Sequence, residues 1–232
     1  MNKKNLVSRE ILYRVLEHEE WHMTQKSLAH ACDVSSWMIS SLIKTLHNFG
    51  AVEKKPLGFR VLNVHKILLY WACTRNLHRD IVYTTFSPYP VSKIEEEMPE
   101  DTLFTAFSGY SRKFKDASLT YDEVFVYGDS NQISRKFPKK TVLRPNVIVL
   151  EPDPHLRRLS ENNVVPFPQL YADLWQIDNP KAEKVLVNLD QRLKLKPIEK
   201  FRTIINQLWA KETRGFEKML NDTSSGDKIA VE

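Results

Sequence analysis

Five residues near the N-terminus, His18-Glu19-Glu20-Trp21-His22, have the spacing that on a helix sets two imidazoles on one face for zinc, with Glu19 as general base. Their surroundings argue against that chemistry. Glu17 and Glu20 put charge at flanking positions that a hydrolytic zinc helix keeps uncharged, the helical pattern is ending, and no third ligand follows on a continuing helix. Six of the seven histidines precede residue 80 and could be imagined as a metal cluster with Cys32, but satisfied surface or core histidines explain them better. No metal and no cofactor is expected. Nucleotide transfer needs a Gly-Ser loop and an Asp-x-Asp pair around magnesium. Ser108-Gly109 reverses that dipeptide, and Asp122, Glu123 and Asp129 do not reproduce the spacing. The six glycines never fall closer than eight positions apart, which removes P-loop and dinucleotide-binding loops, and no Gly-x-Ser-x-Gly elbow occurs. No catalytic residue is assigned, and a binding protein is expected rather than an enzyme.

What remains is a concentration of hydroxyls and cations in the first third. The chain carries 34 Lys+Arg against 29 Asp+Glu, a net charge of +5. Residues 1–80 hold 12 basic and 7 acidic side chains, so the whole surplus belongs there and the remainder is balanced. A basic module joined to a neutral one points to a polyanion for the first and another task for the second. Two cysteines, Cys32 and Cys73, are too few for a disulfide framework and are expected as small buried hydrophobes. The longest apolar runs, such as residues 67–72, are far short of a membrane span, and no hydrophobic segment follows the Met-Asn-Lys-Lys start. A cytoplasmic protein without a membrane partner is the expectation.

These groups need elements to hold them. Val7, Ile11, Leu12, Val15 and Leu16 recur at helical spacing and predict a first helix over 7–20. Thr24 offers an N-cap for a second, with Leu28, Ala29 and Cys32 inward and a stop at Asp33. Ser35 caps a third, in which Ile39, Leu42, Ile43, Leu46 and Phe49 face inward while Ser36, Trp37, Ser40, Ser41, Lys44 and His47 face out, and Gly50 ends it. Residues 51–54 and 59–62 around Lys55-Pro56-Leu57-Gly58 predict a small hairpin with Lys54, Lys55 and Arg60 at its tip. Three helices and a basic hairpin make a winged helix.

Met-Thr-Gln-Lys-Ser-Leu-Ala from Met23, Val-Ser-Ser at 34–36, and Ile-Ser-Ser-Leu-Ile-Lys-Thr-Leu-His-Asn-Phe-Gly-Ala-Val from Ile39 resemble winged helix-turn-helix transcriptional regulators over about forty residues. The resemblance implies double-stranded DNA as partner, with the third helix in the major groove. It places Ser35, Ser36, Trp37, Ser40, Ser41 and Lys44 at bases or phosphates, with Thr24 and Gln25 at the start of the second helix. Lys54, Lys55 and Arg60 become phosphate contacts. Ser41 stands where such proteins often carry Arg, and the turn at Cys32 and Asp33 lacks the common glycine. Five or so phosphate contacts would give a slope of log affinity on log salt of roughly −4 to −5. The competing reading is a winged helix that contacts protein.

A broadly apolar helix at 65–77 is expected to bridge to a second domain. There, 81–86, 124–127 and 147–150 read as strands, 164–165 as a short one, 91–98 as a helix, and Phe104, Phe107, Ser111 and Phe114 as one helical stripe on which Gly109 permits close approach. Pro168 opens a helix over 169–177. Arg135, Lys136, Lys139, Lys140 and Arg144 form the densest basic stretch, read as a solvated loop around Pro138. Pro197 starts a helix with a wide apolar face that either docks on the domain or pairs with another copy.

The order winged helix, then Leu-Phe-Thr-Ala-Phe-Ser-Gly-Tyr at 103–110, then strands, then Pro-Gln-Leu-Tyr-Ala-Asp-Leu-Trp at 168–175, is similar to the AbiEi-type antitoxin and regulator family. That resemblance implies a repressor of its own operon in an abortive-infection toxin-antitoxin system, with a partner from that system and a distantly nucleotidyltransferase-like C-terminal domain. Asp173, at the family's recurrent acidic position, is given a capping or pairing task. The expected fold is α+β: a winged helix over 1–63, a linker helix over 64–80, a mixed α/β domain over 81–195, a C-terminal helix over 196–220 and a tail over 221–232. A homodimer through the C-terminal domain and a divergent nucleotidyltransferase complete the alternatives.

Overall fold

The computed structural model describes residues 3–116, 118–140 and 144–193. The helix and tail expected over 196–232 lie outside the described residues. The chain divides into two units, Met1–Leu186 and Val187–Glu232, and the description that follows concerns the first, apart from residues 187–192, which end its last helix.

The protein is α+β. Helix α1 (Lys3–His18) buries Val7, Ile11, Leu12 and Val15 and ends two residues before the expected limit, where Glu19 takes φ 55°. Strand β1 (His22–Met23) was not expected; two residues carry no pattern of their own. Helix α2 (Gln25–Cys32) starts at Thr24, whose side chain accepts the Ser27 N–H. It closes with Asp33 at φ 50°, the Asp33 N–H on His30 O and the Val34 N–H on Ala29 O. Aspartate tolerates the left-handed region well enough to do here what glycine usually does.

Helix α3 (Ser36–Asn48) is capped by Ser35, which accepts the Met38 N–H, and seals Ile39, Leu42, Ile43 and Leu46 inside. Phe49, expected inward, is 36% exposed and lies against the Tyr70 ring, because the helix stops at Asn48 and Gly50 at φ 68° turns the chain. Strands β2 (Val52–Lys55) and β3 (Gly58–Val61) form the hairpin, closed between Lys55 and Gly58 by Pro56 and Leu57 alone, and β1 adds to the far side of β3. Gly58, at φ 154°, passes so close to the Met23 carbonyl that a Cβ would collide with it.

Helix α4 (Val64–Thr74) buries Ile67, Leu68, Trp71 and Ala72; Cys73, expected buried, points to solvent on its other side. After a short 3-10 turn (Leu77–Asp80) come β4 (Ile81–Thr85), α5 (Val91–Glu96), β5 (Leu103–Thr105), α6 (Ala106–Phe114), β6 (Val124–Tyr127), α7 (Ser130–Lys136), β7 (Val147–Leu150), α8 (Pro154–Leu159), α9 (Phe167–Leu174) and α10 (Pro180–Arg192).

The sheet order is β4-β7-β6-β5, with β6 and β7 parallel and the two outer pairs antiparallel. All four residues of β6 and of β7 are buried, as continuous apolar runs in covered central strands should be. Val124, Val126, Val147 and Val149 pack with Ile94 and Ile133 on one face, while Tyr127 reaches Asp173 of α9 on the other. The stripe expected to run from Phe104 as one helix is in fact a strand followed by a helix. Ala106, at φ 50°, turns the chain sharply between β5 and α6, so Phe104 belongs to the sheet. Gly109 does allow a close approach, to Phe104 O and Leu170. Val164 makes only isolated bridges to Phe104 and Glu161 and forms no strand.

Candidate nucleic-acid interface

The outward side of α3 carries Ser36, Trp37, Ser40 and Lys44, all exposed, Trp37 at 76%. Each lies opposite a residue of near-zero exposure, so the apolar stripe that pins α3 also aims this row at solvent. Ser41 is half-buried beside it, and its carbonyl accepts the Thr45 hydroxyl. The helix contains no acidic residue. Thr24 and Ser35 are exposed but already accept a backbone N–H as caps, at 3.0 and 3.4 Å. Each hydroxyl proton stays available for an external acceptor. Gln25 is half-buried at the first turn of α2.

On the hairpin, Lys54, Lys55 and Arg60 are all exposed. Glu53 pairs with Arg60 across the strands and sits 2.8 Å from Lys55 Nζ. The hydrogen bond from Lys55, ahead of the charges of Lys55 and Arg60, lowers the Glu53 carboxyl below its ordinary value. One carboxylate therefore offsets part of the cationic finger, a neutralisation that counting basic residues alone overlooks.

A polar depression of about 570 Å³ beside α2, in which Glu10 pairs with both Arg14 and Arg158, has no counterpart in the sequence pattern. Arg14, Lys26, His30 and Arg158 line it together with Thr24 and Ser27. Arg14 and Arg158 come from α1 and α8, far apart in sequence, so no local signal could have joined them. The basic stretch from Arg135 has Arg135, Lys136, Lys139, Lys140 and Arg144 exposed; Lys139 Nζ bonds Thr84 O and lies over the Tyr83 ring.

The metal question has a structural answer of its own. His18 ends α1 and His22 opens β1, so the two imidazoles do not share a helix. Among the described residues one group has metal-ligand geometry: Glu10, Cys32 and His155, the one histidine beyond residue 80. Arg9 Nε donates to His155 Nδ1 at 3.1 Å, and Glu10 Oε2 lies 2.9 Å from His155 Nε2. An arginine can only donate, so Nδ1 accepts and the ring hydrogen sits on Nε2, directed at Glu10. A cation at Nε2 would need that hydrogen gone and the Arg9 bond broken. Burial alone would push the Glu10 carboxyl up, but hydrogen bonds from His155 and Arg14 and the Arg14 charge outweigh it and hold it down at about 2. Burial, reinforced by the Glu10 carboxylate, pushes the Cys32 thiol up to about 12, so it is neither a ready ligand nor a nucleophile. The three residues fit one another better than they fit a metal.

A buried polar network joins α1 and the end of α4 to α9. Arg9, with no exposure, bonds both oxygens of Asp153 at 2.7 and 2.9 Å and Gln169 at 3.2 Å. Arg75 pairs with Asp173 at 2.8 Å and with Asp80 at 3.2 Å, and donates to the Tyr127 hydroxyl. Asp173 also accepts from Thr105, Tyr127 and Gln169, so its pairing task is observed. Burial disfavours the charged form of Arg75, but Asp173, Tyr127 and Asp80 together outweigh it and raise the guanidinium above its ordinary value. Asp122 and Asp129 stand beyond opposite ends of β6: Asp122 is exposed against Lys181, and Asp129 caps α7.

Comparison of the chain with protein-family models, with curated proteins and with solved structures finds no match.

Proposed function

We propose that the chain is a sequence-specific double-stranded DNA-binding regulator whose first 63 residues act as a winged helix. The observation that carries this reading is the composition of the outward side of α3: small hydroxyls, one lysine and an exposed tryptophan, without a carboxylate, beside a hairpin bearing Lys54, Lys55 and Arg60. Small hydroxyls let a helix backbone come near base edges, and the lysines displace counterions from phosphates. The AbiEi-type resemblance adds autorepression within a toxin-antitoxin system, with a second, nucleotidyltransferase-like domain that positions a partner rather than catalysing a reaction. The dispersed carboxylates of that domain favour the non-catalytic version.

The test is fluorescence anisotropy of labelled duplexes, one covering the region upstream of the chain's own gene and one scrambled, titrated against salt. The expected slope of log affinity on log salt is roughly −4, at about −0.9 per phosphate neutralised. Arg60→Ala and Lys54→Ala should each flatten it by about one. Ser40→Ala or Trp37→Ala should narrow the gap between specific and scrambled duplexes. Binding that ignores salt, or no binding, would overturn the reading in favour of a protein-contact module.

A further inference from the structure

We propose that the tip of the β2–β3 hairpin is an apolar wedge: Leu57 enters the minor groove of a bound duplex, unstacks one base step and bends the DNA. This rests on the DNA-binding reading above and gives the hairpin a second activity beyond phosphate contact.

Leu57 is 89% exposed, the most exposed large apolar side chain among the described residues. A lone apolar residue on a surface is ordinary, but this one has two further properties. It is held rigidly. The turn is closed between Lys55 and Gly58, Pro56 fixes its own φ, and Gly58 rests against the Met23 carbonyl, so β1 braces the finger from behind. It also has a net cationic surround, since Lys54, Lys55 and Arg60 are exposed in the strands that carry it and Glu53, paired with Lys55, offsets only one of the three. Cations flanking a protruding aliphatic group match a surface whose outer rails are phosphate and whose interior is stacked bases. Architectural proteins that kink DNA from the minor groove combine these two features. A protein partner covering Leu57 would have to meet the same cations with carboxylates.

The experiment uses the full chain and a duplex from the upstream region of its own gene, with a donor and an acceptor dye at the two ends, so that binding and end-to-end distance are read in one titration. Wild type should bend the duplex by roughly 20–90°. Leu57→Ser should keep the salt slope, bind on the order of tenfold more weakly and lose the bend, while Leu57→Met keeps it. Wild type that binds without shortening the end-to-end distance, or Leu57→Ser that bends as well as wild type, overturns the wedge and leaves DNA binding intact. Absence of salt-sensitive binding by wild type overturns the reading beneath it. If sedimentation shows that Leu57→Ser dissociates a wild-type dimer while the bend is unchanged, the tip belongs to a second copy and the wedge is wrong.

Discussion

Arg75 Nη2 lies 2.8 Å from Asp173 Oδ1, with the two side chains 0% and 1% exposed. The pair ties the end of α4 to α9, and the Tyr127 hydroxyl and Gln169 complete its hydrogen bonding. Two charges taken out of water repay their desolvation only while both remain, so loss of one partner leaves an uncompensated ion.

Asp173→Ala and Arg75→Ala are each expected to cost about 3–5 kcal/mol of unfolding free energy. The double replacement Arg75→Ala with Asp173→Ala should cost much less than the two single changes added together. Urea unfolding of the three variants checks this; strictly additive losses would mean that the two residues do not depend on each other.

Acid should weaken the α1–α8 junction through Glu10. Its folded value of about 2 lies below its ordinary value of 4.5, so the stabilisation is complete above about pH 4.5 and is lost as pH falls towards 2. Glu10→Gln should lower stability at neutral pH and flatten the fall between pH 5 and 2. Thermal unfolding across that range is the measurement, and an unchanged acid limb would contradict the assignment.

The two cysteines should separate cleanly. Cys73, exposed, should react at once with a thiol reagent in the folded protein, and Cys32, buried and held neutral, only after unfolding. Stoichiometric zinc should leave the melting temperature unchanged, because the His155 Nε2 hydrogen faces Glu10. A zinc-dependent rise that Cys32→Ser removes would reinstate the metal site.

Gly58→Ala should unsettle the hairpin, since an added Cβ meets the Met23 carbonyl at a φ of 154°. A loss of about 1–3 kcal/mol is expected, read by urea unfolding. Lys54→Ala, a few residues away and exposed, should leave stability within about 0.5 kcal/mol of wild type.

Much of the first third was legible because its signals are local. Thr24 and Ser35 stand where helices begin, Gly50 where one ends, and the inward stripe of α3 repeats every three or four residues. The strand-to-helix switch at Ala106 was not, since an alanine at φ 50° leaves no mark in composition and Phe104 happens to fall in helical phase with Phe107. Helix α10 was missed although its signal is local: Pro180 opens it, and Ala182, Val185, Leu186 and Leu189 repeat at helical spacing and are buried. The contacts of Arg9, Glu10 and Arg75 join segments distant along the chain, and their meeting is a property of tertiary packing alone.

Helix α1 serves two masters. Its apolar side closes the core beneath α3, while Arg9, Glu10 and Glu17 are held by Asp153, His155 and the Phe167 N–H. A graft of residues 1–63 onto a foreign protein would leave Arg9 without Asp153 and Gln169 and open it, with Glu10 and Glu17, to water. Residues 1–63 are thus no portable cassette: a transplant would need the surface that α8 and α9 present to α1, or replacements for Arg9, Glu10 and Glu17 suited to water.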